Sequence, residues 1–169
     1  MITTAEELVQ TLTEHHEQLK GLLPQVLEAE GERRAELFAR VRRMLAAHEA
    51  LEQETVHVAA RTELGDEAAK PRLSEEHEAG EAIAGLEELD VDSDDFTDGF
   101  QKLSDDVVEH AESEEQQEFD KLSGELTEKG AKRAAAGLDL VSAAEDGSLE
   151  GSTFAEMFAT SKETINQAG

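Results

Sequence analysis

The chain has no cysteine, tryptophan or tyrosine, and only two prolines among its 169 residues. The absence of cysteine excludes disulfide bonds, thiolate chemistry and iron–sulfur ligation. Few prolines and few runs of β-branched residues argue against a sheet. With six phenylalanines as the only aromatic hydrophobic residues, the core must be built mainly from Leu, Val, Ile and Ala. We therefore predict an all-α fold.

Basic residues are also scarce: 15 Lys and Arg stand against 41 Asp and Glu, a net charge of -26. This charge repels nucleic acid and anionic membranes, so neither is an expected partner. No stretch approaches the roughly 18 apolar residues of a membrane-spanning helix, and the N-terminus lacks a basic segment leading into an apolar one. We expect a cytoplasmic protein with one ordinary domain.

Apolar residues recur at helical spacing in four long segments. The predicted helices cover residues 3 to about 30, about 33 to 64, 72 to about 90, and the region after a cap at 92–95. A capping-box pattern from Thr3 to Glu6 begins the first helix. Short loops between such helices predict an antiparallel, up-down-up-down four-helix bundle over residues 1–130. We predict that residues 131–169 form a short helical appendage, either packed on the bundle or partly mobile.

The histidines form a repeated pattern, a single His followed 32 or 33 residues later by a His-x-x-x-Glu pair. The members are His16, His48 and Glu52 in the first copy, and His77, His110 and Glu114 in the second. Residues four apart share a helix face, so each pair can present a nitrogen and a carboxylate inward. Burying carboxylates without partners costs several kcal/mol, which a bound cation would offset. We predict that these six residues are metal ligands.

The ordered set H…HxxxE…H…HxxxE resembles that of the hemerythrin-like, or HHE cation-binding, domains, over residues 1 to about 129. The stretch from Glu14 to Leu22 is similar to the opening of actinobacterial hemerythrin-like proteins. The resemblance implies a non-haem di-iron centre in a four-helix bundle. Two iron ions, cycling between Fe2+ and Fe3+, would be bridged by the two glutamates and an oxo or hydroxo group. Hydrogen peroxide, nitric oxide and dioxygen are the implied partners.

The chain departs from the oxygen-carrying hemerythrins at two positions. Leu73 stands where those proteins have a second His on the third helix, and Glu114 follows its His by four residues rather than as an Asp at five. Fewer histidines leave open positions on both irons, which favours redox chemistry over oxygen storage. We expect a catalase-like reaction with hydrogen peroxide or detoxification of nitric oxide. The alternatives are a non-catalytic oxygen, redox or iron sensor, an iron- or oxygen-binding protein, and an acidic bundle without metal.

Several ligand assignments stay open. His15 competes with His16: the spacing to the next His favours His15, whereas the apolar positions usual in the family favour His16, which we choose. His57 lies five residues after Glu52 and would point away from it on a regular helix, so a core or surface role is expected, with an extra ligand role as the alternative. Glu81 is a candidate for the missing ligand. Zinc or manganese could replace iron.

Ferritin-like bundles are the nearest structural rival. They place Glu before His, three residues apart, and use single Glu residues on the partner helices. In this chain His comes first, the spacing is four, and the lone partners are histidines. The order therefore favours the hemerythrin-like interpretation.

Overall fold

The computed structural model describes residues 2–169, with the side chains of residues 63, 64, 66, 68 and 69 left out. The described backbone is helical and forms no strand, which confirms the all-α prediction. The helices are α1 (Ala5–Glu28), α2 (Gly31–Glu54), α3 (Val56–Leu64), α4 (Asp66–Glu87), α5 (Asp94–Gln117), α6 (Glu128–Asp146) and α7 (Phe154–Ala168), with a short 3-10 turn at Phe119–Lys121. Every helix of the described residues is too short or too polar to span a lipid bilayer.

The start of α1 is fixed by a capping box one residue later than predicted. The side chain of Thr4 accepts a hydrogen bond from the Glu7 amide at 3.2 Å, and the Glu7 carboxylate accepts from the Thr4 amide at 3.3 Å. Glu6, the predicted partner, instead accepts a hydrogen bond from the Gly124 amide at 3.1 Å. The shift lets Glu6 tie the chain that follows α5 to the beginning of α1.

The predicted helix over residues 33–64 is divided at Thr55, where the backbone has φ −128° and ψ −74°. The Thr55 hydroxyl donates to the carbonyl of Leu51 at 2.6 Å, while the Thr55 amide bonds the carbonyl of Glu52 at 3.2 Å. In a regular helix the carbonyl of Leu51 would accept from the Thr55 amide, but here it accepts from the Thr55 hydroxyl. Such competition by a threonine side chain often bends a helix. The break expected after Leu64 is present, with Gly65 at φ +91°.

The third predicted helix begins earlier than its sequence suggested. It is α4, which starts at Asp66, so Pro71 lies inside the helix rather than before it. The fourth begins as predicted, because the Ser93 side chain accepts a hydrogen bond from the Phe96 amide at 3.1 Å.

The core lies where α1 packs on α2 and α5, and where α4 packs on α5 and α3. One end of this core is closed by three phenylalanine rings, with the Phe38 centroid 5.0 Å from that of Phe96 and 5.9 Å from that of Phe100. Buried leucine, valine, alanine and methionine side chains continue the core toward the histidines.

Helices α6 and α7 pack along α2, and α7 also contacts α4. The approach of α6 is close because Gly137 has no side chain: a Cβ there would lie 3.0 Å from Cβ of Leu51. A capping box between Thr153 and Glu156 starts α7, as the sequence indicated. The buried residues Phe154, Met157 and Ile165 face the rest of the molecule. Residues 128–168 are therefore packed against the core.

Candidate metal centre

The first group of possible ligands joins α1 to α2. His16, His48 and Glu52 are buried, and one ligand atom from each lies within 4.8 Å of the others. The Nε2 atom of His16 is 3.4 Å from Oε1 of Glu52, and Nε2 of His48 is 3.2 Å from the same oxygen. Two imidazoles and one carboxylate suffice to hold a divalent metal ion.

The second group draws on four elements and shares a residue with the first. Its members are Glu52, His57, Glu76 and Glu114, all buried, again with ligand atoms within 4.8 Å of one another. The Nε2 atom of His57 is 2.6 Å from Oε1 of Glu76 and 3.5 Å from Oε1 of Glu114. Because Glu52 belongs to both groups, its carboxylate lies between two possible ion positions.

His110 borders the second group. Its Nε2 atom is 3.4 Å from Oε2 of Glu114 and 3.8 Å from Oε1 of Glu76. On the other side, Nε2 of His16 is 3.5 Å from Oε2 of Glu114. Glu114, like Glu52, thus stands between imidazoles from different helices.

The inward atoms of this cluster lack hydrogen-bond partners among the described residues. They are Nε2 of His16, of His48 and of His110, and both carboxylate oxygens of Glu52 and of Glu114. Leaving such groups buried and unpaired is costly, by several kcal/mol for a charge. The Nε2 atoms of the three histidines lie 3.2 to 3.5 Å from a carboxylate oxygen of Glu52 or Glu114, so cations between these groups would satisfy them. The residues present therefore fit bound metal.

The outward nitrogens of three histidines are paired with carboxylates. These pairs are His16 Nδ1 with Glu115 Oε1 at 2.8 Å, His110 Nδ1 with Glu75 Oε2 at 2.7 Å, and His57 Nδ1 with Glu118 Oε2 at 3.0 Å. A carboxylate on Nδ1 selects the tautomer with its proton there and leaves Nε2 free to bind a metal. These three glutamates do not stand out in the sequence, because acidic residues are too common in this chain.

Without metal, protons balance part of the buried charge. Burial and the neighbouring Glu52 carboxylate raise the pKa of Glu114 to about 7. Burial alone would lower the pKa of His16, but the carboxylates of Glu114 and Glu52 outweigh it and raise that pKa to about 10. In the same way, Glu118 and Glu76 outweigh burial and raise the pKa of His57 to about 11. These imidazoles are therefore protonated at neutral pH in the metal-free protein.

His77 does not join the cluster, which corrects the prediction made for it and for Glu81. The His77 side chain is 76% exposed and lies 3.7 Å from the Glu81 carboxylate, which is 73% exposed. The buried Ile83 defines the inner face of α4. Glu76 precedes it by seven residues, about two turns, and shares that face, whereas His77 precedes it by six and is rotated by roughly 120°. Glu76 occupies the place expected for His77.

His57 is fully buried, as a core role predicts, and its Nε2 atom also lies among the atoms of the second group. On an uninterrupted helix His57 would point away from Glu52. The helix is interrupted at Thr55, so this expectation does not apply. Of the two adjacent histidines on α1, His16 lies in the first group, while His15 is buried with its ring centroid 5.7 Å from that of His48. Burial lowers the pKa of His15 to about 4, so it stays neutral.

A cavity of about 210 Å³ reaches the cluster from solvent between α4 and α5. Its inner wall includes His16, His48 and His110. Its mouth carries four carboxylates and one ammonium group, those of Glu75, Glu78, Asp106, Glu109 and Lys102. Small molecules can therefore reach the imidazoles, while the acidic mouth disfavours anions.

Glu49 forms part of the wall of this cavity and was not singled out by its sequence position. Its side chain is buried, and the pKa of Glu49 is well above its usual range because of that burial and of the nearby Glu76. This burial favours the neutral form of the Glu49 carboxyl group.

A family model described as the hemerythrin HHE cation binding domain matches residues 7–122. This range contains both ligand groups and ends before α6 and α7. No curated protein and no solved structure matches the chain.

Proposed function

Because this chain belongs to the hemerythrin HHE cation-binding family, we propose that its buried cluster holds two iron ions. His16 and His48 would hold the first ion, and His57, Glu76 and His110 the second. Glu52, which belongs to both groups, and Glu114, which belongs to the second group and lies 3.5 Å from Nε2 of His16, would be shared. An oxo or hydroxo bridge between the ions is part of the same prediction.

One observation carries this proposal: the Nε2 atoms of His16, His48 and His110 and the carboxylate oxygens of Glu52 and Glu114 are buried and lack hydrogen-bond partners among the described residues. A purely structural histidine normally satisfies both ring nitrogens. The Nε2 atoms of His16, His48 and His110 have no such partner. A metal ion would supply it.

We infer an antiparallel, up-down-up-down bundle of α1, α2, α4 and α5 as the frame of this centre. The contacts of α1 with α2 and α5, and of α4 with α5, support it, together with the family match. Residues 1–130 would form this bundle, and 131–169 the appendage. Each of the four helices supplies at least one of the proposed ligands, so bound metal would cross-link the helices and stabilise the bundle.

The proposed reactants are hydrogen peroxide and nitric oxide, with dioxygen as a further ligand. All three are small and neutral, and the cavity of about 210 Å³ exceeds the volume of about 30 Å³ that a water molecule occupies in the liquid. Bound iron would supply reversible one-electron redox chemistry. The chain itself orients the imidazoles through Glu115, Glu75 and Glu118, and limits access to the mouth between α4 and α5.

Oxygen evolution from hydrogen peroxide and consumption of nitric oxide by the iron-loaded protein test the proposal. We expect turnover above that of free iron, lost in His110→Ala and retained in His77→Gln, whose side chain lies in solvent. Equal rates for the wild type and free iron would contradict the proposed reaction.

A non-catalytic oxygen, redox or iron sensor is the second candidate. It is favoured by the position of α7, whose Lys162 donates a hydrogen bond to Gln53, next to Glu52 in sequence. A sensor requires an element that reports on the metal. Identical limited proteolysis of residues 131–169 with and without iron would argue against this role.

A further inference from the structure

The C-terminal helix α7 reaches the ligand cluster through a chain of side chains. Lys162 Nζ donates to Oε1 of Gln53 at 2.8 Å. The amide nitrogen of Gln53 in turn donates to Oε2 of Glu76, and Oε1 of Glu76 lies 2.6 Å from Nε2 of His57. The chain of contacts therefore runs from an exposed edge of the molecule to the second ligand group.

The groups on either side of Gln53, the Lys162 ammonium group and the Glu76 carboxylate, fix the direction of its two hydrogen bonds. An ammonium group can only donate, and an ionised carboxylate can only accept. Gln53 must therefore turn its oxygen toward Lys162 and its nitrogen toward Glu76. This orientation occupies the outer oxygen of Glu76 and leaves Oε1 facing the cluster.

Further contacts hold Lys162 in place. Its Nζ is 3.3 Å from Oε1 of Glu54 and 5.5 Å from the centre of the Phe158 ring. Arg133 of α6 donates to the carbonyl of Glu54 at 3.4 Å and to Oδ1 of Asn166 at 2.6 Å. Helices α6 and α7 thus clamp the end of α2 immediately before the interruption at Thr55.

We propose that Lys162, acting through Gln53, is a positioning residue that orients the Glu76 carboxylate for the second metal ion. This inference rests on the proposed two-metal function. It assigns to a segment outside the family match, residues 128–168, a part in setting the affinity of the centre. Groups that orient metal ligands commonly change metal affinity by 10- to 100-fold.

Electrostatics and positioning predict opposite signs for the removal of Lys162. Its ammonium group repels a nearby cation, so loss of this charge alone would strengthen metal binding slightly. Loss of the hydrogen bond to Gln53 would instead release Glu76 and weaken binding. The sign of the change therefore separates the two effects.

Titration of the full-length, metal-free protein with cobalt(II) alone tests the proposal, because its visible absorption reports ligand geometry. We expect two ions per chain in the wild type. Lys162→Met and Gln53→Leu should weaken binding of the second ion about tenfold and shift its absorption. The affinity for the first ion should stay unchanged. Lys162→Arg should restore most of the affinity. Lys132→Met, which removes an exposed lysine paired with Glu128 on α6, is the matched control.

If Lys162→Met binds the second ion with unchanged or higher affinity, this proposal is overturned, while the metal centre itself is not. Equal weakening of both ions would also overturn it, since that pattern indicates a general loss of stability. No cobalt bound by the wild type would instead contradict the proposed function itself.

If Lys162 affects the affinity for the second ion, binding of that ion must in turn stabilise the contact that Lys162 makes. We therefore expect hydrogen exchange in residues 154–168 to slow when the second ion binds, by a factor that falls in Lys162→Met. Exchange that responds to cobalt identically in both proteins would contradict the coupling.

Discussion

Two adjacent residues on α4, Glu76 and His77, face opposite environments. Glu76 is 3% exposed within the second ligand group, whereas the His77 side chain is 76% exposed. We predict that Glu76→Gln weakens binding of the second iron ion at least tenfold, because one charged ligand is lost. His77→Gln should leave both dissociation constants unchanged. Anaerobic titration with Fe2+ measures both, and a stronger effect of His77→Gln would contradict the assignment.

The raised pKa values of His16 and His57 predict that metal binding releases protons. With pKa values of about 10 and about 11, both imidazoles carry a proton at pH 7 that a metal ion must displace. Protons compete with the metal, so affinity should fall as pH falls and rise as pH rises toward 10. Calorimetry in buffers of different ionisation enthalpy gives the number of protons released. Binding without proton release would contradict the charge state inferred for the cluster.

The sequence allowed part of this site to be predicted. His48, Glu52, His110 and Glu114 lie on apolar helix faces, as helical periodicity indicated, whereas the choice of His16 over His15 depended on the family resemblance. Glu76 could have been found by counting back seven residues from Ile83. His57 could not, because the interruption at Thr55 follows no proline or glycine.

At the level of helices, the contact between α6 and α2 depends on the missing side chain of Gly137. A Cβ at this position would lie 3.0 Å from Cβ of Leu51, inside a buried contact. We predict that Gly137→Ala lowers the free energy of unfolding by about 1–3 kcal/mol through overpacking. Chemical denaturation measures the change.

Gly85→Ala is the matched control for that substitution. Gly85 is also helical, but a Cβ there would meet nothing within 4 Å. This change should be neutral or stabilising by up to about 1 kcal/mol, as expected for alanine in a helix. A Gly137→Ala protein as stable as Gly85→Ala would contradict the close packing of α6 on α2.

The existence of the helices followed from the sequence better than their ends did. Local capping signals such as Ser93 and the Thr153–Glu156 box fixed where helices begin. The interruption at Thr55, where the side-chain hydroxyl bonds the carbonyl of Leu51, was not predicted. The third helix was expected to begin after Pro71, but Pro71 lies inside α4. The Thr4–Glu7 box shows the same limit, since Thr3 and Glu6 fit the pattern equally well.

For the molecule as a whole, the net charge of -26 predicts a marked effect of salt on stability. Repulsion among surface carboxylates opposes the compact state, and salt screens it. The thermal midpoint of the metal-free protein should therefore rise between about 0.02 and 0.5 M sodium chloride. Sodium and potassium chloride should act alike if screening is the cause. A midpoint that stays constant or falls would contradict this explanation.

The central claim is that the buried histidines and glutamates hold a pair of metal ions. Its most direct test is the number of iron ions per chain after anaerobic loading and removal of free metal, measured by elemental analysis against protein concentration. The predicted result is two per chain in the wild type. Fewer than one per chain in a folded protein would contradict the account.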